Sequence, residues 1–194
     1  MRKKKSVLGK VWYFIWEDNS LASWLVNIVL AFVLVKFVIY PGLGLVFGTG
    51  YPVVAVVSGS MEHDGQSFDQ WWGQNEKWYL DNGITKDQFQ NFPFYNGFNE
   101  GDIMVLFGSE PENIKIGHVV VYESHPDYPP IIHRVVSKEQ DSEIFLRTKG
   151  DHNTIPDRDI VGQEKLLGKA VMRIPYLGWV KIGFTKLIKI MIGG

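Results

Sequence analysis

Twenty consecutive residues at 21–40, LASWLVNIVLAFVLVKFVIY, limit what the rest of this chain can do. As a helix rising about 1.5 Å per residue, the run would cover the ~30 Å hydrocarbon core of a bilayer. Asn19 or Ser20 offers an N-cap, and Pro41 offers an end. Lys36 lies close enough to that end for its ammonium to reach toward the interface. A buried helix of a soluble core meets the same description. So does a cleaved secretory leader, for which Gly42-Leu43-Gly44 would supply the small residues. Against the leader, the apolar run is longer than the ~7 to 15 residues of a leader core, and Glu17 and Asp18 stand before it. Arg2, Lys3, Lys4, Lys5 and Lys10 crowd the first ten positions. The segment reads as an uncleaved, single-pass anchor over 19–41. Its basic N-terminus, 1–18, stays in the cytoplasm, so that everything after Pro41 faces outward.

The 194 residues leave room for one globular domain beyond such an anchor. Lys and Arg number 20 against 21 Asp and Glu, so no global basic field points to nucleic acid. There is no cysteine, which excludes disulfide scaffolds, thiolate zinc sites and a cysteine nucleophile. No His-Glu-x-x-His, P-loop or dinucleotide glycine pattern calls for a metal or cofactor. Residues 42–50 form a glycine-rich joint that would lay the following segment close to the membrane surface. An apolar, Val-rich run at 52–57 has the length and branching of a buried strand, and it stops abruptly at Ser58-Gly59-Ser60-Met61. A hydroxyl is delivered at a strand end.

Residues 62–100 are polar yet carry Trp71, Trp72, Trp78, Tyr79, Phe89, Phe92, Phe94, Tyr95 and Phe98, too many aromatics for a disordered segment. They suit a small helical cap with its own aromatic core, or a surface that dips into the membrane interface. Beyond them, Val- and Ile-rich runs at 102–107, 118–122, 131–137, 143–148 and 166–174 alternate with Gly, Pro, Asp and Ser clusters, and 140–142 marks a hairpin. This spacing predicts a compact, coiled, mainly β domain over 50–175. Residues 176–194 read as a short basic amphipathic helix on the membrane surface.

An activated hydroxyl nucleophile needs a base to take its proton and a carboxylate to orient that base. Ser58 and Ser60 are the candidate hydroxyls, His133 in its apolar run is a candidate base, and Lys149 is a rival base. Asp151, Asp157 and Asp159 compete as the carboxylate. A nucleophile elbow does not fit, because Ser58 and Glu62 occupy the positions where glycines are required.

Ser58-Gly59-Ser60-Met61-Glu62, Gly101-Asp102, His133-Arg134-Val135 and Lys149-Gly150-Asp151 resemble, in that order, the motif boxes of type I signal peptidases of the archaeal and endoplasmic-reticulum kind. The likeness runs over roughly residues 50–178. It implies a barrel-like β fold and a membrane-anchored serine endopeptidase that needs no cofactor. Such an enzyme removes signal peptides from secretory preproteins, at the cell membrane or, in a eukaryote, the endoplasmic-reticulum membrane, with accessory membrane subunits as further partners. It implies that Ser60, immediately before the methionine, is the nucleophile, and that Ser58 and the Ser60 N–H receive the oxyanion. His133 stands where bacterial relatives carry a lysine. The later carboxylate, Asp157, would orient it, while Asp151 braces the loop. The substrate would lie extended along a strand edge, with pockets for small residues at the first and third positions before the cut.

Three departures from the pattern stand out: His118 where an aspartate is expected, His63 where proline is common, and the insertion at 62–100. A Ser60–Lys149 dyad remains the alternative mechanism. A non-enzymatic surface β-domain, anchored in the membrane and binding a partner through its aromatic segment, remains the alternative function. The topology predicts that protease added to intact cells or spheroplasts reaches 62–100; protection there until lysis would reverse it.

Overall fold

The computed structural model describes residues 6–140, 142–179 and 182–183. Lys3, Lys4 and Lys5 and most of the amphipathic segment expected at 176–194 lie outside the described residues. The chain divides into two compact units, one ending at Val46 and one beginning at Phe47.

The first unit is helical. Helix α1, Val7–Trp16, starts at Ser6, whose hydroxyl accepts from the Gly9 N–H at 3.2 Å. The sequence pattern predicts only a basic N-terminal segment here. Helix α2, Leu21–Leu34, is capped by Ser20, which accepts from Ser23 N–H. The last carbonyls of α1 have no partner within their own helix. Two polar residues of α2 supply donors: Ser23 Oγ to the Phe14 carbonyl, and Asn27 Nδ2 to the Ile15 carbonyl at 2.9 Å.

Pro41 does not end the apolar helix, contrary to expectation. The chain widens into a π-helical stretch, Val35–Ile39, and then continues as α3, Tyr40–Phe47. Proline removes a donor and crowds the carbonyl four residues back. A π-turn just before it relieves both, since hydrogen bonds there reach five residues, as Tyr40 N–H to the Val35 carbonyl does. Most of the expected glycine joint is therefore helix, and the left-handed residue that follows α3 is Gly48, at φ +66°. Leu21–Phe47, 27 residues, is the one described helix long and apolar enough to cross a membrane.

The second unit is a curled, seven-stranded antiparallel sheet: β1 Val53–Ala55, β2 Ile103–Phe107, β3 Val119–Tyr122, β4 Ile131–Gln140, β5 Ile144–Lys149, β6 Ile160–Val161 and β7 Leu166–Ile174. Their spatial order is β1-β2-β7-β3-β4-β5-β6. The β-branched runs become strands because their side chains fill both faces. In β3, all of which is buried, Val119 and Val121 enter one core with Met61, Phe98, Met104 and Leu106. Val120 and Tyr122 enter a second with Ile114, Val135, Leu146 and Val161. A bulge lies between Val135 and Ser137, so Val136 has no partner in β5. The extra residue turns Val136 into a third core while Val135 stays in the second.

That third core belongs to residues 62–100, which fold as the helical reading expected. Helices α4, Phe68–Asp81, and α5, Lys86–Gln90, each begin with a capping box, at Ser67/Gln70 and Thr85/Gln88. Phe89 sits at the centre, fully buried, with the rings of Phe68, Trp71, Trp72, Tyr79 and Phe92 at centroid distances of 5.0–5.8 Å. Phe89→Ala should lower unfolding stability by about 3–5 kcal/mol, measurable by denaturant unfolding in detergent.

The same cap buries a lysine. Lys149 Nζ donates to Tyr79 Oη at 3.3 Å and to the Gly150 carbonyl at 3.2 Å, above the faces of Trp78 and Tyr79. Burial lowers its pKa from 10.5 to about 8, and the nearby Asp151 charge only partly opposes this. Between those values the unfolded chain holds more protons, so stability rises with pH. From about pH 8 toward about pH 10, where tyrosines begin to ionise, this residue should add up to ~1.4 kcal/mol of unfolding free energy per pH unit. Lys149→Met should flatten that rise; an unchanged slope would contradict the burial.

Candidate active site

Strand periodicity sorts the candidate residues. Successive side chains of β4 alternate between faces, so His133 lies on the side of Ile131 and Val135, and Arg134 lies on the other. Cross-strand register carries this into β5, where Thr148 pairs with Val135 and Lys149 with Arg134. One face thus collects His133, Thr148 and Tyr122, and the opposite face collects Arg134 and Lys149.

On the first face three of the residues singled out from the sequence meet: Ser60, His133 and Asp157. Ser60 follows β1 in a turn closed by Glu62 N–H to the Gly59 carbonyl. Its hydroxyl lies 2.9 Å from His133 Nε2, and His133 Nδ1 lies 2.6 Å from Asp157 Oδ2. Asp157 is brought there by its own N–H, which donates to the Thr148 carbonyl at 2.8 Å. Its carboxyl also accepts from Thr148 Oγ1 at 2.7 Å and Tyr122 Oη at 3.1 Å. Burial alone would raise the Asp157 pKa, but His133, Thr148 and Tyr122 together hold it below the ordinary carboxylate value. Sequence reasoning missed Tyr122, which nothing local distinguishes from a core tyrosine.

Ser58 Oγ lies 3.2 Å from Ser60 Oγ. Both open onto a cleft of about 330 Å³ lined also by Ala55, Val57, Pro129, Pro130, Ile131, Ile132 and His133. A larger cleft lined by Gly48, Gly108, Glu110 and Gln163 contains none of the candidates.

Asp151 and Asp159 are elsewhere. Asp159 accepts from Ser124 Oγ and lies 3.9 Å from Lys165 Nζ. Asp151 is completely buried on the second face and takes both arms of Arg134, Nε to Oδ1 at 2.9 Å and Nη2 to Oδ2 at 2.7 Å. The remaining Arg134 donors go to the carbonyls of Pro93, Gly117 and Phe94 at 2.8–3.0 Å, so all five N–H groups are used. The guanidinium also sits 4.7 Å above Phe89. Burial would raise the Asp151 pKa, yet the Arg134 charge and hydrogen bonds, with His63, keep it low.

The two unusual histidines have local roles. His63 Nε2 lies 3.3 Å from Asp151 Oδ2, and its ring stacks on Trp71 at 3.9 Å with the planes 3° apart. His118 Nδ1 accepts from Lys115 N–H at 3.1 Å, the acceptor work a carboxylate would do in that turn.

The Asp151 loop reaches back to the serine. His152 N–H donates to the Ser60 carbonyl at 3.0 Å, and Asp151 N–H points at Met61 Sδ. Gly150 passes so close that a Cβ there would stand 2.6 Å from the Ser60 carbonyl oxygen and 2.9 Å from His133 Nε2, so only glycine fits. Lys149 turns away; its ammonium is held by Tyr79 and Gly150 on the second face.

No family model matches the chain. Individual proteins do. The signal peptidase complex catalytic subunit SEC11 of Eremothecium gossypii is 30% identical over 156 residues, 75% of this chain and 73% of that protein. The subunit of the same name from Komagataella phaffii is 30% identical over 164 residues, 77% of this chain and 76% of its own length. That of Scheffersomyces stipitis is 29% identical over 159 residues, 77% and 75% of the two chains. These alignments span most of both partners at an identity sufficient to establish common descent, and the chain therefore belongs to the family of SEC11-type signal peptidase catalytic subunits.

Proposed function

We infer that this protein is a membrane-anchored serine endopeptidase that removes signal peptides from secretory preproteins, with Ser60 as nucleophile, His133 as base and Asp157 as the orienting carboxylate. One observation carries the assignment: Ser60 Oγ, His133 and Asp157 form an unbroken line of contacts at 2.9 and 2.6 Å in a chain of this family. Attack on the scissile carbonyl passes the Ser60 proton to His133 Nε2. Asp157, accepting from Nδ1–H, stabilises the imidazolium that forms, and His133 then protonates the leaving amine. Water deacylates the serine by the same route in reverse. Ser58 Oγ and the Ser60 N–H are the donors for the oxyanion, where one such group typically contributes ~10² to 10³ in rate.

The Ala55, Val57 and Pro129–Ile132 walls suit an extended peptide with small apolar side chains before the cut. Leu21–Phe47 is the anchor in this reading, the β unit lies on the outer side, and other membrane subunits are partners. The lysine dyad is disfavoured by where the Lys149 ammonium finds its hydrogen bonds.

The test is to incubate the detergent-solubilised protein with a preprotein and map the cut. Cleavage after the signal peptide, lost in Ser60→Ala, is expected; cleavage that survives Ser60→Ala would overturn the proposal, and so would none by the unmodified protein. His133→Ala should abolish turnover and Lys149→Ala should keep most of it. Since the base must be neutral, kcat/KM should fall toward acid pH. Asp157→Asn should reduce kcat by ~10⁴ with little change in melting. Asp151→Asn, which breaks a buried ion pair, should lose about 3–5 kcal/mol of stability and activity in parallel.

A further inference from the structure

We propose that Thr148 and Tyr122 are positioning residues of the reaction: their buried hydroxyls fix Asp157 Oδ2 against His133, so that the carboxylate meets Nδ1 in one orientation. This rests on the assignment of Ser60, His133 and Asp157 made above. Thr148 and Tyr122 are both 0% exposed, and neither reaches Ser60. Thr148 comes from β5 and Tyr122 from β3, the two strands that flank β4, so the carboxylate is held from both sides of the strand that carries His133.

Counting protons ranks them. Three oxygens, Thr148 Oγ1, Tyr122 Oη and Asp157 Oδ2, stand 2.7, 3.1 and 3.2 Å apart, and the two hydroxyls have one proton each. The shortest separation assigns the threonine proton to the carboxylate. The tyrosine proton is then shared between Asp157 and Thr148 Oγ1 at longer range. Oδ2 also takes His133 Nδ1–H at 2.6 Å, which leaves the tyrosine as the weakest of its three donors. Burial raises the Tyr122 pKa, so the phenol stays a donor throughout the working range. The pair does two opposed things to the base. It prevents the carboxylate from rotating off Nδ1, and by neutralising part of its charge it limits how strongly Asp157 stabilises the imidazolium. The other titratable groups whose fields reach this corner are Lys149 and Asp159.

Thr148→Val and Tyr122→Phe delete the hydroxyls at nearly constant volume, and Thr148→Ser restores one. Full-length variants in detergent would be assayed on a preprotein for kcat, KM and the acid limb of kcat/KM, beside thermal unfolding. Thr148→Val should lower kcat about 10- to 100-fold, the scale of one charge-assisted hydrogen bond, with KM within about twofold. Tyr122→Phe should lower it less, and Thr148→Ser should recover most of the loss. In both deletion variants the acid limb should move to higher pH, because a carboxylate with fewer donors stabilises the imidazolium more. A purely structural role predicts activity that tracks the folded fraction with an unmoved limb, and that result overturns the proposal. So does full activity in both deletion variants while Ser60→Ala is dead. An active Ser60→Ala would instead refute the underlying assignment.

Discussion

Arg134 and Asp151 meet fully shielded from bulk solvent, and much of the domain is arranged to make that tolerable. Removing two charges from solvent costs several kcal/mol per ion, and their attraction offsets it only when every remaining donor is satisfied. Here all five guanidinium N–H groups find oxygen, and three of those oxygens are backbone carbonyls of residues 93, 94 and 117. The pair consequently fixes three distant stretches of chain at once: the end of the aromatic insertion, the turn before β3 and the loop after β5. Deleting either partner would strand the other charge, so the arrangement is held as a unit.

What the pair fixes is the back of the candidate site. Asp151 opens the loop whose next N–H, that of His152, holds the Ser60 carbonyl, and Gly150 lets that loop approach within contact of both Ser60 and His133. On the far side the insertion supports the same loop through His63 on Asp151 and through Tyr79 and Trp78 on Lys149. Residues 62–100 are therefore more than a cap with its own aromatic core. Their packing on Val136, Arg134 and Lys149 makes them the foundation beneath β4 and β5.

The alternation of β4 allows one strand to serve both tasks. His133 and Arg134 are adjacent, yet the pleat sends one toward Ser60 and Asp157 and the other into the buried ion pair. The bulge at Val136 adds curvature just beyond them and turns one more apolar side chain toward the insertion.

Much of this was legible in the chain itself, wherever the signal is local. Apolar length marked the helix from Leu21, β-branched runs marked β2, β3, β4, β5 and β7 nearly to their ends, and aromatic density marked the insertion as folded. Ordered short motifs pointed to Ser60 and His133 as candidates, and the family resemblance chose Asp157 among three carboxylates. Other features depended on neighbours that no local pattern specifies. Pro41 read as a stop because a helix with four-residue hydrogen bonds passes it only with a lost bond and a clash; a π-turn relieves both, and whether one forms is a matter of the whole helix. The short strand β6 was too brief to register. Above all, strand order, register and one bulge decided which side chains share a face. Thus Tyr122 meets Asp157 from 35 residues away, and Arg134 meets the Phe94 carbonyl from 40. Periodicity of two states only that faces alternate; which partners lie across each face is settled when the sheet closes and its charges must find their oxygens.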